Sequence, residues 1–216
     1  QKARLVTSVL TGIGIVLNIV AQILAANALL GSMFGFSPLV CSVLSVVIMA
    51  CYGMFGGIKG SGLLGLVKLS LLYLATVICG VLAYVMQGGF DAFAAVLPSE
   101  EYFNIFSRGV GTDLGLGLNV ALGIVSTQTY IQAVMIGKSN QAAKRGCLLA
   151  AALAPPVGFF SLLVGMYMRA NFPDMAAAEA FPGFILQFLP APLAGVSLAT
   201  LLIAVVGTGS GMALGF

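Results

Sequence analysis

The sequence predicts an all-α, polytopic membrane protein with six transmembrane helices. Two observations carry this expectation. The chain is 60% hydrophobic with a mean hydropathy of +1.12, well above the roughly 45–50% apolar content of a soluble domain. Its fifteen charged residues, nine basic and six acidic, fall between or at the edges of long apolar runs, with Lys68 the exception. Those runs are long enough to cross a bilayer, which takes about 20 residues per helix. They are too many and too long for a signal peptide. The ten-residue alternation of an outer-membrane barrel is absent.

The first span covers about Leu5–Leu30. The second, about Ser37–Met54, opens with Ser37-Pro38, a cap followed by a first-turn proline. The third covers about Ser61–Met86. A polar connection, Gln87–Gly111, then holds an amphipathic stretch, Phe90–Leu97, expected to be a short interfacial helix. The fourth span is about Thr112–Ile136 and the fifth about Asn140–Met168. Pro155-Pro156 removes two backbone donors inside the fifth and should kink it. Phe172–Pro190 is a second long loop with another short helix expected. The sixth span runs from about Ala191 to the end of the sequence. Neither end resembles a natural terminus, so the chain reads as the middle of a longer protein whose flanking helices are its partners.

Charge gives the orientation. Lys2, Arg4, Lys59, Lys138, Lys144 and Arg145 share one side if each span crosses once. The other side carries Arg108, Arg169 and all six acids. An excess of Lys and Arg marks the cytoplasmic face. The Gln1 end is therefore expected in the cytoplasm and both long loops outside it, in a cytoplasmic membrane. The basic residues form no patch, so nucleic acid is not an expected partner. No histidine is present, and Cys41, Cys51, Cys79 and Cys147 all lie in apolar segments. They read as small buried hydrophobes rather than ligands.

Polar residues inside spans must face protein or water, since lipid cannot satisfy them. Thr7, Thr11, Asn18 and Gln22 fall within about a 60° arc of the first helix. The fourth span is rich in glycine, then gives Ser126-Thr127-Gln128-Thr129-Tyr130-Ile131-Gln132, six hydrogen-bonding side chains in seven residues. Such a segment is either wrapped by neighbours or unwound around a solute, as in the broken helices of transporters. In the sixth span Ala204 and Thr208 share a face, and a carbonyl plus a hydroxyl offers two hard oxygens of the kind cations take. Gly207, Gly209 and Gly211 beside them also suit a tight packing seam. Lys68 lies inside the third span, where a charge costs roughly 3 kcal/mol or more and marks a functional site by default. It is also near enough to the membrane edge to snorkel to the cytoplasm.

Four stretches together resemble the sodium:solute symporter family, whose fold is LeuT-like. They are Lys2-Ala3-Arg4-Leu5 opening a span, the glycine-rich Tyr52–Gly60, Gln128–Arg145 with Gly137-Lys138-Ser139 and its basic loop, and Pro182–Ser210. The resemblance covers nearly the whole chain. It implies two inverted five-helix repeats, with 1–87 ending the first, 88–111 forming the loop with its short helix, and 112–216 starting the second. It implies a symporter moving a small organic solute, not an enzyme, with no cofactor beyond Na⁺ as coupling ion. By the same resemblance Asn119, Ser126, Thr127, Gln128, Tyr130 and Gln132 would line the substrate site. Ala204, Gly207 and Thr208 would match the sodium positions of the family's ninth helix. Two of its features are altered: Gly207 stands where the family usually has serine, and Leu64, Gly65 and Lys68 stand where it has Thr, Asp and Gln. Some relatives with this fold that do without sodium place a lysine on the equivalent helix. Lys68 is therefore expected either to replace the ion, with H⁺ in place of Na⁺, or to snorkel. A transporter-like sensor module without transport is the alternative reading.

Overall fold

The computed structural model describes residues 2–126, 134–135, 137 and 139–214. Regular structure among them is entirely helical. The helices are α1 (Lys2–Phe34), α2 (Pro38–Gln87), α3 (Phe90–Val96), α4 (Ser99–Tyr102), α5 (Val110–Ser126), α6 (Asn140–Asn171), α7 (Ala180–Phe188) and α8 (Ala191–Leu214), with a 3₁₀ turn at Ala177–Glu179 before α7. Four stretches are long and apolar enough to cross a membrane: Thr11–Phe34, Gly65–Gln87, Asn140–Asn171 and Ala191–Ala213. Pro38–Met54 is a shorter apolar helix. The fourth expected span, Thr112–Ile136, is represented by α5 up to Ser126, and most of its remainder lies outside the described residues. Four full-length apolar spans are thus present among the described residues.

The chain divides into two compact units, Gln1–Cys79 with Asp174–Phe216, and Gly80–Pro173. In the first, α1 packs along α8, and α7 contacts both. Ala26, Leu29 and Leu30, spaced three and four residues apart, give α1 its buried face, and Leu198 and Val206 lie buried on α8. Phe184 and Ile185 of α7 are fully enclosed. Gly35, at a φ of 66°, ends α1 in the left-handed region that glycine tolerates best. Ser37 and Pro38 then start α2 as expected: the Ser37 carbonyl accepts from the Cys41 amide at 3.0 Å. A polar clasp ties α1 to α2. Asn27 Nδ2 donates to Ser42 Oγ at 2.8 Å, and Ser45 Oγ lies 3.5 Å from Asn27 Oδ1. Side-chain hydrogen bonds of this kind join helices where apolar surface gives no preference for protein over lipid.

The second unit closes on glycine. A Cβ on Gly80 would lie 2.6 Å from Phe160 Cβ and 2.7 Å from its carbonyl oxygen, so α2 and α6 touch backbone to backbone there. The rings of Tyr84, Phe90 and Phe159 pack in sequence at tilted angles beside that crossing. The interfacial helix appears where the amphipathic pattern placed it, as α3, with Phe93 and Leu97 buried. Asn171 Nδ2 donates to Gln87 Oε1 at 2.9 Å, joining the ends of α6 and α2. Ser139 caps α6 by accepting from the Ala142 amide. The helix continues through Pro155 and Pro156 without a break in its assignment.

Candidate functional site

The symporter resemblance places a glycine-rich turn at Tyr52–Gly60, between the second and third expected spans. The structure corrects this: α2 is helical from Pro38 to Gln87. A straight helix of that length would reach about 75 Å, more than twice the hydrocarbon thickness of about 30 Å. It is not straight. Tyr52 and Lys68 both approach one point on α8. A Cβ placed on Gly207 would lie 3.0 Å from Lys68 Nζ and 3.6 Å from the Tyr52 ring. Sixteen residues of straight helix would separate their Cα atoms by about 24 Å. Two side chains reaching roughly 6 Å each, plus those contacts, span only about 19 Å. The chain therefore bends between Tyr52 and Lys68, a stretch holding Gly60-Ser61-Gly62. Glycine–serine pairs are a recognised cause of sharp kinks. The change of direction read in the sequence is present, made by a bent helix rather than a loop.

That bend builds the site. Lys68 is half-buried, four residues into the span that starts at Gly65. Its ammonium points at the α8 backbone, into the notch left by the missing Gly207 side chain. The two departures from the symporter pattern, a lysine gained and a hydroxyl lost, meet in space. All six acids lie outside the four spans, so no carboxylate within a span neutralises this ammonium. Next to the notch, Thr208 Oγ1 donates to the Ala204 carbonyl at 2.8 Å. The expected pair of hard oxygens is thus adjacent, with Thr208 exposed and Ala204 half-buried.

Gly209 fits the seam reading. A Cβ there would lie 2.8 Å from Met49 Sδ and 3.4 Å from Gln22 Cβ, so α8 meets α1 and α2 closely at that level. Gln22 is the one member of the polar arc of α1 seen at this seam. Asn18 instead donates to the Gly14 carbonyl of its own helix. Sequence pattern alone does not place Tyr52 at the notch. The only local signal was its position immediately before the glycine-rich stretch.

The expected substrate residues belong to the other compact unit or lie beyond the description. Asn119 is exposed on α5, and Ser126 is its last residue. Thr127, Gln128, Tyr130 and Gln132 lie outside the described residues. No group of acids or cysteines able to hold a metal occurs among the described residues.

Comparison with known proteins follows this geometry. Sodium/myo-inositol cotransporter 2 of Bos taurus is 28% identical over 137 residues, covering 52% of this chain and 20% of its own length. The Homo sapiens protein of that name is 26% identical over the same length. Solute carrier family 5 member 4A of Mus musculus is 21% identical over 240 residues, covering 90% of this chain and 37% of its own. The chain is similar, at low identity, to sodium/myo-inositol cotransporters and to a member of solute carrier family 5. No family model and no solved structure matches it. The chain spans about a fifth of the length of the myo-inositol cotransporters it matches. Its four apolar spans agree with a multi-pass membrane protein.

Proposed function

We propose that this chain belongs to a secondary transporter that moves a small organic solute across the cytoplasmic membrane, with the Gln1 end in the cytoplasm. Residues 1–87 complete one inverted repeat and 112–216 begin the next, with Asn119 and Ser126–Gln132 on the solute pathway. Lys68 takes the place of the coupling cation, and a proton rather than Na⁺ drives transport.

One observation carries the coupling part: Lys68 Nζ reaches the notch at Gly207. A Na⁺ site needs several oxygen ligands, and at position 207 glycine offers no side-chain oxygen where the family usually has serine. An ammonium carries the same charge as Na⁺ and brings its own three donors. It could occupy the notch when protonated and leave it when neutral. A proton exchanged at Nζ would then do what binding and release of Na⁺ does in the homologues. Ala204 and Thr208, joined by the hydroxyl-to-carbonyl bond within α8, carry the candidate oxygens nearest in sequence to that position. The homologues' names favour a second reading, in which Na⁺ still binds at Ala204 and Thr208 and Lys68 only tunes the site.

Uptake by the full-length protein separates the two. myo-Inositol, named in the homologues, is the first solute to assay, followed by a panel of small polar organic solutes. With Na⁺ replaced by choline, proton coupling predicts uptake that persists and collapses when the proton gradient is dissipated. Strict loss of uptake in choline contradicts the role given to Lys68. Absence of uptake for every solute tested, with correct membrane insertion, contradicts transport itself.

A further inference from the structure

Two side chains of α2 close on the notch at Gly207, and one of them is a phenol. A Cβ on Gly207 would lie 3.0 Å from Lys68 Nζ and 3.6 Å from both Cε1 and Cζ of Tyr52. Cζ bears the hydroxyl, so it is the polar end of Tyr52 that stands at the notch. Contacts this short to one point leave the ammonium and the phenol carbon no more than about two hydrogen-bond lengths apart. An amine that changes charge needs a partner in both states. The ammonium only donates, whereas the neutral amine also accepts. A backbone carbonyl accepts only and serves the ammonium alone. Thr208 Oγ1 has its proton on the Ala204 carbonyl at 2.8 Å, so it too is left with lone pairs to offer. A phenol O–H both accepts and donates. Tyr52 alone among the side chains at the notch can serve Lys68 charged and neutral. Few other titratable groups are at hand. α7 and α8 carry none. α1 carries only Lys2 and Arg4, in its first turn, while α8 meets α1 at the level of Gln22. On α2 the nearest in sequence are Cys51, which is exposed, and Lys59.

We propose that Tyr52 is the proton relay of Lys68, an inference that rests on the proton-coupled reading above. In the charged state Nζ donates to Oη, directly or through one water. Release is a concerted shift. One proton passes from Nζ to Oη as the proton already on Oη passes to a water molecule. The products are a neutral amine, a neutral phenol and a hydronium ion, with the new O–H donating to Nζ. That bond holds the neutral amine clear of the Gly207 backbone. Proton uptake reverses the same bonds, and the phenol carries no charge at either end of the step. The position of Tyr52 suits the task. It is only partly buried, as is Lys68, and it lies two residues from the end of the apolar helix Pro38–Met54, where water has a short path to its hydroxyl.

Two measurements on the full-length protein test the relay. The first needs no solute. The pH-induced infrared difference spectrum of the purified protein should contain a tyrosine ring band, because the hydrogen bond at Oη changes when Nζ changes charge. Tyr52→Phe and Lys68→Met should each remove that band. A spectrum without it, or one that Lys68→Met leaves intact, overturns the pairing whatever ion drives transport. The second uses labelled myo-inositol in vesicles. Tyr52→Phe keeps the ring and removes the hydroxyl. Accumulation driven by a proton gradient should fall roughly 10-fold or more, while exchange at equal solute on both sides, which needs no net proton transfer, should fall less than about 2-fold. Equal losses in both would reduce Tyr52 to packing and overturn the relay, as would unchanged accumulation. Accumulation by the parent that requires Na⁺ would defeat the proton-coupled reading and the relay with it, a result told apart from the others because it appears before any substitution at Tyr52.

Discussion

Lys68 is legible in sequence because a charge in an apolar run violates a local rule. Gly207 is legible only through the symporter resemblance, which implies a serine there. Their meeting is not legible, since they lie 139 positions apart and only the bend in α2 brings Tyr52 and Lys68 to the same point on α8. Tyr52 is less visible still, because an aromatic in a membrane helix breaks no rule. The nearest atom to the missing Gly207 side chain is the end of a flexible lysine, so added bulk there should be tolerated. Gly207→Ala should change stability by less than ~1 kcal/mol, helped by alanine's better helix propensity. It should nevertheless displace the ammonium and lower solute uptake several-fold at unchanged protein level. Unaltered uptake in that variant would mean the notch has no part in coupling.

At the scale of elements, the apolar runs locate helices well and their ends less well. α3 and the start of α2 appear where amphipathicity and Ser37-Pro38 place them. The glycine-rich stretch, which the symporter resemblance takes as a turn, holds helical geometry, because glycine permits a bend without requiring a break. Gly80 shows the other use of glycine. Its contact is with the Cα, Cβ and carbonyl oxygen of Phe160, none of which can move aside. Gly80→Ala should therefore destabilise the full-length protein by about 1–3 kcal/mol, measured by thermal or denaturant unfolding in detergent. Phe160→Ala should not rescue it, since trimming the ring leaves all three atoms in place. Full rescue would show that the ring, not the backbone, sets the crossing.

For the whole molecule, charge placement was the strongest signal, because a bilayer penalises misplaced charge more than water does. It points to the membrane class and to an expected orientation, while most of the expected solute segment, Ser126–Gln132, lies outside the described residues. The orientation predicts which side each loop occupies. In a cysteine-free background, a single cysteine at Ser107 should react with a membrane-impermeant maleimide added to intact cells. One at Asn140, beside the basic loop, should react only after permeabilisation. The reverse pattern would invert the topology and with it the direction of coupling.

The central claim is that the Lys68 ammonium stands where a sodium ion would sit. The direct measurement is a Na⁺ titration of the melting temperature of the purified full-length protein, with choline holding ionic strength constant. The account predicts no Na⁺-specific, saturable stabilisation in the parent, and its appearance when Lys68→Ala is combined with Gly207→Ser. Saturable stabilisation of the parent by Na⁺, undiminished relative to the double variant, would contradict it.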